Sequence, residues 1–287
     1  GVVFFHFGGE SWNQPVNGGE RQPQVDKKQD EMAGYVDFRQ HLYRWLTLDL
    51  GVRIDHHSHV GTEWVPQAGL SFHLPANAEI KLMAGKGFRY PTIRELYMFR
   101  PANPDLRPER LWNYELAWSQ RSMKGRLFYG VNVFYIDGEN LIMRMPVDGR
   151  QMNINTGKIE NTGAEVQFAY RFSPVGSVDA NYSYLHMSKP IPGAPGQKFY
   201  VGAVYKPGRF TLNVNVQSIF DLYTNEGCTE KEDFTTLNAK AAYRFGTRDK
   251  GLNLFVKGEN LTAARYSINE GFPMPKAIFM GGIDVTF

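Results

Sequence analysis

The sequence predicts an all-β protein: an antiparallel transmembrane β-barrel of about fourteen strands. Three observations predict it. Apolar and polar residues alternate with period two nearly end to end. Short and long connections between the alternating runs follow one another strictly. Aromatic residues make up 14% of the chain, with 15 Tyr and 20 Phe.

In chain order, Leu46, Leu48, Leu50, Val52 and Ile54 alternate with Thr47, Asp49, Gly51, Arg53 and Asp55. Phe210, Leu212, Val214 and Val216 alternate with Thr211, Asn213, Asn215 and Gln217. Leu237, Ala239, Ala241, Tyr243 and Phe245 share one side, and Leu252, Leu254, Val256 and Gly258 repeat the pattern. Phe279, Gly281, Ile283, Val285 and Phe287 close it. A strand turns successive side chains to opposite faces, so each run has one apolar and one polar face. No segment shows a period of 3.6, and no helix is expected.

Strands are expected at 2–8, 32–42, 45–55, 64–74, 78–87, 110–121, 125–137, 161–172, 176–186, 197–206, 208–220, 234–245, 251–261 and 276–287. Tight turns fall at Leu74–Asn77, Ser173–Gly176, Lys206–Gly208 and Gly246–Lys250, each with Gly, Pro or Asn to supply turn geometry. Long connections fall at 9–31, 56–63, 88–109, 138–160, 187–196, 221–233 and 262–275. In an antiparallel sheet this alternation sorts all short turns to one end and all long loops to the other, as in outer-membrane barrels. Alternation alone does not say which face points outward. Trp112, Tyr114 and Trp118, then Tyr129 and Tyr135, then Tyr182 and Tyr184, suit aromatic girdles at a membrane–water boundary.

Composition narrows the function. The 287 residues exceed the ~150-residue prior for one domain, but a single barrel runs this long. A net charge of +3, from 32 basic and 29 acidic residues, leaves no footprint for nucleic acid. Cys228 is the single cysteine, which excludes an internal disulfide framework and a CxxC metal cluster. No apolar run approaches the 18 residues of a membrane helix. There is no GxSxG, HExxH, P-loop or strand-borne GxGxxG, and nothing orients His186 beside Ser188, so neither catalysis nor a cofactor is expected. The chain opens at Gly1 inside an apolar run with no charged leader, and is read as a processed or truncated product.

Two boxes carry a resemblance. Gly87-Phe88-Arg89-Tyr90-Pro91-Thr92-Ile93-Arg94-Glu95-Leu96-Tyr97 is followed by Asn103-Pro104-Asp105-Leu106-Arg107-Pro108-Glu109 and then Asn113-Tyr114-Glu115-Leu116. They resemble the Gly-Phe-Arg-Ala-Pro and Asn-Pro-Asp-Leu-Lys-Pro-Glu boxes of TonB-dependent outer-membrane receptors. Gly163-Ala164-Glu165-Val166, then Gly258-Glu259-Asn260-Leu261 with Tyr266, then Gly271–Pro275 leading to Phe287, resemble further family boxes in the same order. The resemblance spans 33–287; Tyr90 stands where the family has Ala, and Thr262-Ala263 where it has Phe-Asp.

The resemblance implies that residues 1–287 form the C-terminal part of a barrel of twenty-two strands, without its plug domain. It implies a bacterial outer-membrane location, uptake of a scarce nutrient, and partnership with outer-membrane lipid. It also implies a plug and, through it, TonB. The barrel-assembly machinery would read the last strand and its terminal Phe287. An iron chelate such as a siderophore leads the ligand classes; corrinoid, haem, another metal or a saccharide also fit. No His lies in 92–102, where haem-uptake members place one. Pro91, Pro104 and Pro108 fix φ where the chain leaves and re-enters a ladder, so the boxes read chiefly as architecture.

Arg89, Arg94 and Arg100 around Tyr90, Tyr97 and Phe99 offer planar cations and rings to an anionic aromatic ligand. His57 and His59, of His56-His57-Ser58-His59, project to one side of an extended segment and offer two imidazoles to a soft or borderline metal. Met143, Met145 and Met152 offer thioethers, though adaptable packing accounts for them as well. Two other classes fit the pattern: a self-contained fourteen-stranded porin-like passive channel, and a soluble β-rich binding protein.

Overall fold

The computed structural model describes residues 1–99, 101–247 and 250–286. The chain forms β1 (Val2–Asn13), β2 (Gln22–Tyr43), β3 (Leu46–His57), β4 (Gly61–Leu74), β5 (Ala78–Arg89), the helix α1 (Ile93–Tyr97), β6 (Glu109–Ser122) and β7 (Leu127–Glu139). There follow β8 (Ile142–Val147), β9 (Arg150–Asn155), β10 (Ile159–Ser173), β11 (Gly176–Met187), β12 (Pro195–Tyr205), β13 (Phe210–Tyr223) and β14 (Lys231–Gly246). The last strands are β15 (Gly251–Glu259), β16 (Ser267–Asn269), β17 (Phe272–Pro273) and β18 (Ile278–Thr286). No helix among the described residues is long and apolar enough to cross a membrane.

Fourteen strands form one antiparallel sheet in the order β1-β2-β3-β4-β5-β6-β7-β10-β11-β12-β13-β14-β15-β18. Every neighbour pair follows chain order, the meander that short turns produce. The fourteen expected strands are those of this sheet. Strands β8 and β9, and β16 and β17, form two separate hairpins inside connections expected to be loops.

The connections differ from expectation in three places. The long loop expected at 56–63 is a turn of residues 58–60, and that expected at 9–31 shrinks to 14–21. Strand β2 runs 22 residues because its first half pairs with β1; that half is polar on both faces, which alternation cannot detect. Within 88–109 lies the five-residue α1, too short to show helical periodicity.

The chain divides into two compact units. Unit 1 comprises Gly1–Phe72, Lys81–Leu116 and Tyr135–Glu160. Its ladders bring Val36 opposite Val52, Phe38 opposite Leu50 and Ile54 opposite Trp64. That apolar face is exposed, with Val36 at 68%. The opposite face buries Gln29, Thr47, Asp55, His57 and Glu63, with Asp55 at 0% and His57 at 1%. Its small apolar core is Ala33, Ile93, Leu96 and Leu106.

Unit 2 comprises His73–Ile80, Ala117–Phe134 and Asn161–Phe287, and repeats the inversion. Val256 lies opposite Ala241, and Phe279 opposite Gly258, on a face where Val256 is 64% exposed. Ser218, Thr224, Thr236 and Asn260 are buried. A water-soluble protein buries its apolar residues; apolar-out and polar-in is the pattern of a strand wall facing lipid.

Candidate functional site

The connection between β5 and β6 carries both motif boxes and is folded rather than loose. Pro91 is fully buried. Thr92 caps α1: its hydroxyl accepts from the Glu95 N–H (3.2 Å), and the Glu95 carboxylate accepts from the Thr92 N–H (2.8 Å). This reciprocal capping box satisfies two otherwise orphaned donors. The helix buries Ile93 and Leu96. It ends where Met98 turns extended and Phe99 takes φ +59°. At Gly9 of β1 a Cβ would stand 2.5 Å from Met98 Cε and 3.3 Å from Ile93 Cγ2, so the segment packs closely on this strand and a larger residue there would displace the end of the Met98 side chain.

Arg89 closes the connection at its base. Its Nε and Nη2 donate to Glu109 (2.7 and 2.9 Å), and its Nη1 and Nη2 donate to Glu95 (2.8 and 3.1 Å). Burial raises the pKa of the Glu95 carboxyl, but the bonds from Arg89 and Thr92 outweigh it and hold the group below the usual carboxylate range. Glu109 also accepts from the Ile142 N–H (2.7 Å), which ties the start of the β8–β9 hairpin to the same junction.

The Asn103–Glu109 box is stitched to that hairpin. Asn103 donates from Nδ2 to the Asn153 carbonyl (2.8 Å), and its Oδ1 accepts from the Asp105 N–H (3.0 Å). The Asn103 N–H donates to the Glu95 carbonyl (2.8 Å), and the Asn153 N–H to the Pro101 carbonyl (2.8 Å). Asn155 exchanges bonds with Arg107 (2.9 and 3.0 Å) and donates to the Asn140 carbonyl (2.7 Å). Leu106 is buried in the same segment. The Asn and Pro positions thus hold backbone geometry, and the loop, helix and hairpin form one folded cap in unit 1.

Beneath the cap lies a polar floor. Tyr90 leaves β5 with its hydroxyl 3.1 Å from the carbonyl oxygens of both Asp55 and Gly61. Its ring lies 4.7 Å from His57 and 4.8 Å from Phe88, between centroids. Burial, then the carboxylates of Asp55, Glu63 and Glu31, push the Tyr90 phenol well up, so it stays a donor. Glu63 is held by Arg110 (2.6 Å) and Lys86 (3.1 Å), and Arg110 also reaches Glu139 (3.2 Å). Gln29 is fully buried, and neither atom of its amide finds a partner among the described residues.

The residues singled out in the sequence thus divide. Arg89 and Tyr90 are committed inward. Arg94 is exposed on α1 with no ion partner among the described residues, and Phe99 is 61% exposed. Tyr97 takes the Lys27 ammonium over its ring (5.1 Å) and meets His59 edge-on (6.4 Å). Arg100 and Phe287 lie outside the described residues. His57 and His59 are close, with ring centroids 6.4 Å apart, and His57 Nδ1 accepts from the His59 N–H (3.2 Å). Among the described residues no group of three or more His, Cys, Asp or Glu is arranged to hold a metal ion.

The Gly258–Leu261 box is a separate knot in unit 2. Gly258 packs so that a Cβ would meet Leu261 Cδ2 at 2.6 Å. Glu259 pairs with Lys257. Asn260, buried and at φ +49°, donates from Nδ2 to the Ala264 and Pro275 carbonyls (2.9 and 3.1 Å). Its Oδ1 accepts from the Ala264 N–H and the Thr262 hydroxyl (both 3.0 Å). The Leu261 N–H donates to the Leu237 carbonyl (2.7 Å), and Tyr266 stacks on Phe234 with 3.8 Å between centroids.

A meander of fourteen strands, with one face apolar and exposed and the other polar, defines the wall of an outer-membrane-type β-barrel. The family model described as "TonB dependent receptor-like, beta-barrel" matches residues 4–261, and the chain belongs to that family. The family is one of bacterial outer-membrane receptors and transporters, not enzymes. The chain is 23% identical over 278 residues to the vitamin B12 transporter BtuB of Photobacterium profundum, covering 92% of this chain and 45% of that protein. The siderophore receptor PirA of Pseudomonas aeruginosa shares the fold with a TM-score of 0.73 at 19% identity, over 91% of this chain and 47% of that one. The copper transporter OprC does so with a TM-score of 0.79 at 14% identity, over 100% and 53%. The chain spans about half the length of these relatives.

Proposed function

We propose that the chain forms barrel wall and external cap of a bacterial outer-membrane receptor for TonB-dependent uptake of a scarce nutrient. The observation that carries this is the inversion of burial: Val36, Val52 and Val256 outward, Asp55, His57 and Glu63 inward. Vitamin B12 and siderophores are what the relatives BtuB and PirA are named for. For this chain an iron chelate is the leading ligand, with a corrinoid next. The exposed Arg94 and Phe99, with Tyr97 beside them and Arg100 following in sequence, supply cations and rings to an anionic aromatic chelate. His57 and His59 are the metal-facing alternative.

The buried polar floor supports the partner assignment. A wall that turns its polar face inward leaves that face to be met by a second polar surface. A plug domain is that surface, and through the plug, TonB supplies the work of transport. The barrel-assembly machinery would engage the final strand. The test is to find which nutrient's starvation induces the protein and to titrate that compound by calorimetry. Binding that Arg94→Ala and Phe99→Ala weaken together supports the reading. Ion conductance in planar bilayers without any ligand would favour a passive channel instead.

A further inference from the structure

The net charge of +3 hides a segregation. In unit 2, Arg126 sits in the connection between β6 and β7, Arg171 lies near the end of β10, Lys206 and Arg209 flank the turn between β12 and β13, and Arg244 and Lys250 flank the turn between β14 and β15. All six are exposed. None of the six side chains makes an ion pair or a hydrogen bond among the described residues; the backbone of Lys250 bonds the Thr247 hydroxyl (3.1 Å). The sequence adds Arg248 and Asp249, which cancel. The backbone brings the cations together: the Arg171 N–H donates to the Arg126 carbonyl (2.8 Å), and the Arg244 N–H to the Arg209 carbonyl (3.0 Å).

The carboxylates at this end are few. Asp179 lies on β11, Asp284 accepts from Asn253 (3.1 Å), and Glu79, beside the turn between β4 and β5, is held by His73 (3.5 Å). At the opposite end of the unit carboxylates crowd the loops, with Glu226, Glu230, Glu232, Asp233 and Glu270. Like charges gathered with few counter-charges repel each other, so the collar favours an anionic partner.

Exposed rings interleave with the cations. Phe172 follows Arg171, Tyr205 precedes Lys206, Phe210 follows Arg209, and Phe245 follows Arg244. Phe210 and Tyr243 meet edge to face (4.6 Å), as do Tyr243 and Phe245 (4.6 Å). Rings sit at headgroup depth and basic side chains reach from there to phosphate. The geometry points to a docking surface for anionic phospholipid headgroups at the short-turn end of unit 2, which selects such lipids into the annulus around the wall. This rests on the membrane reading above and adds a lipid preference to it.

The test uses the whole chain, reconstituted into phosphatidylcholine bilayers doped with acyl-brominated phosphatidylglycerol or acyl-brominated phosphatidylcholine. Intrinsic tryptophan quenching then reports the lipid in contact. Several-fold stronger quenching by the anionic lipid is expected, falling toward parity in about 0.5 M salt as charges are screened. Combining Arg171→Gln, Lys206→Gln, Arg209→Gln and Arg244→Gln should abolish the preference. The same charge change at the loop ends (Arg150→Gln, Lys189→Gln, Arg265→Gln, Lys276→Gln) should leave it intact. Heat-dependent gel mobility identifies folded variants, and the salt series on the unaltered chain stands if the quadruple variant fails to fold. Equal quenching by both lipids, or equal loss in both variant sets, overturns the lipid preference alone. No quenching by either lipid overturns the membrane reading with it.

Discussion

Arg89 grips Glu109 with two nitrogens, Nε at 2.7 Å and Nη2 at 2.9 Å, and holds Glu95 with the other edge of the same guanidinium. The planar fork of arginine joins both carboxylates at once with paired bonds, so the arginine of the first box and the glutamate of the second are one device written 20 residues apart. Arg89→Gln should cost about 1–3 kcal/mol, the value of bonds to charged groups, with the lower end expected because Arg89 is part-exposed. Arg89→Lys should recover only part. Hydrogen exchange at Leu96 and Asn103 should speed up in both, while exchange in β13 stays unchanged.

Acid should loosen the same junction. The Glu95 carboxyl titrates below its ordinary value of 4.5 because Arg89 and Thr92 favour its charged form over the opposing effect of burial. A lowered folded-state pKa gives stability that is fully present above 4.5 and is lost as pH falls through the lowered value. Protection factors of the α1 amides, which remove the slowing of intrinsic exchange in acid, should therefore fall as pH falls from 4.5 toward that value. Glu95→Gln should show the loosened state at neutral pH and flatten this dependence.

Asn260 should be the most sensitive single position of unit 2. It makes side-chain bonds to Ala264, Pro275 and Thr262 in a left-handed conformation that asparagine tolerates. Asn260→Ala loses every bond and strains the backbone, for an expected cost of about 2–4 kcal/mol in a urea titration. Asn260→Gly removes the strain and should recover about 1 kcal/mol.

The two faces should respond oppositely to charge. Val214→Lys places an ammonium on the apolar face and should cost about 2–4 kcal/mol if Val214 lies near mid-bilayer. Gln217→Lys, on the polar face of the same strand, should cost less than about 1 kcal/mol. Refolding yield into lipid vesicles measures both.

All fourteen strands of the main sheet were legible because each carries a period-two pattern that packing preserves. The direction of the faces was not: alternation is symmetric, and only the burial of Asp55, His57 and Glu63 breaks the tie. Two missed elements had signals. Thr92 and Glu95 have the spacing of a capping box, and Asp148-Gly149, at φ +49° and +75°, is the hairpin turn between β8 and β9. The commitment of Arg89 inward had none, since its partners Glu95 and Glu109 meet only once the cap folds.

Strand β2 has 22 residues, and at about 3.3 Å each it extends roughly 70 Å, or about 50 Å with a ~45° tilt, against ~30 Å of hydrocarbon. Its first residues therefore stand clear of the bilayer as a two-stranded ribbon, paired with β1 from Phe7 to Asn13. At its foot, where Gln29 lies buried opposite Phe7, the ribbon joins the wall of the sheet, so the outermost polar surface of unit 1 is carried by paired backbone and not by a loop.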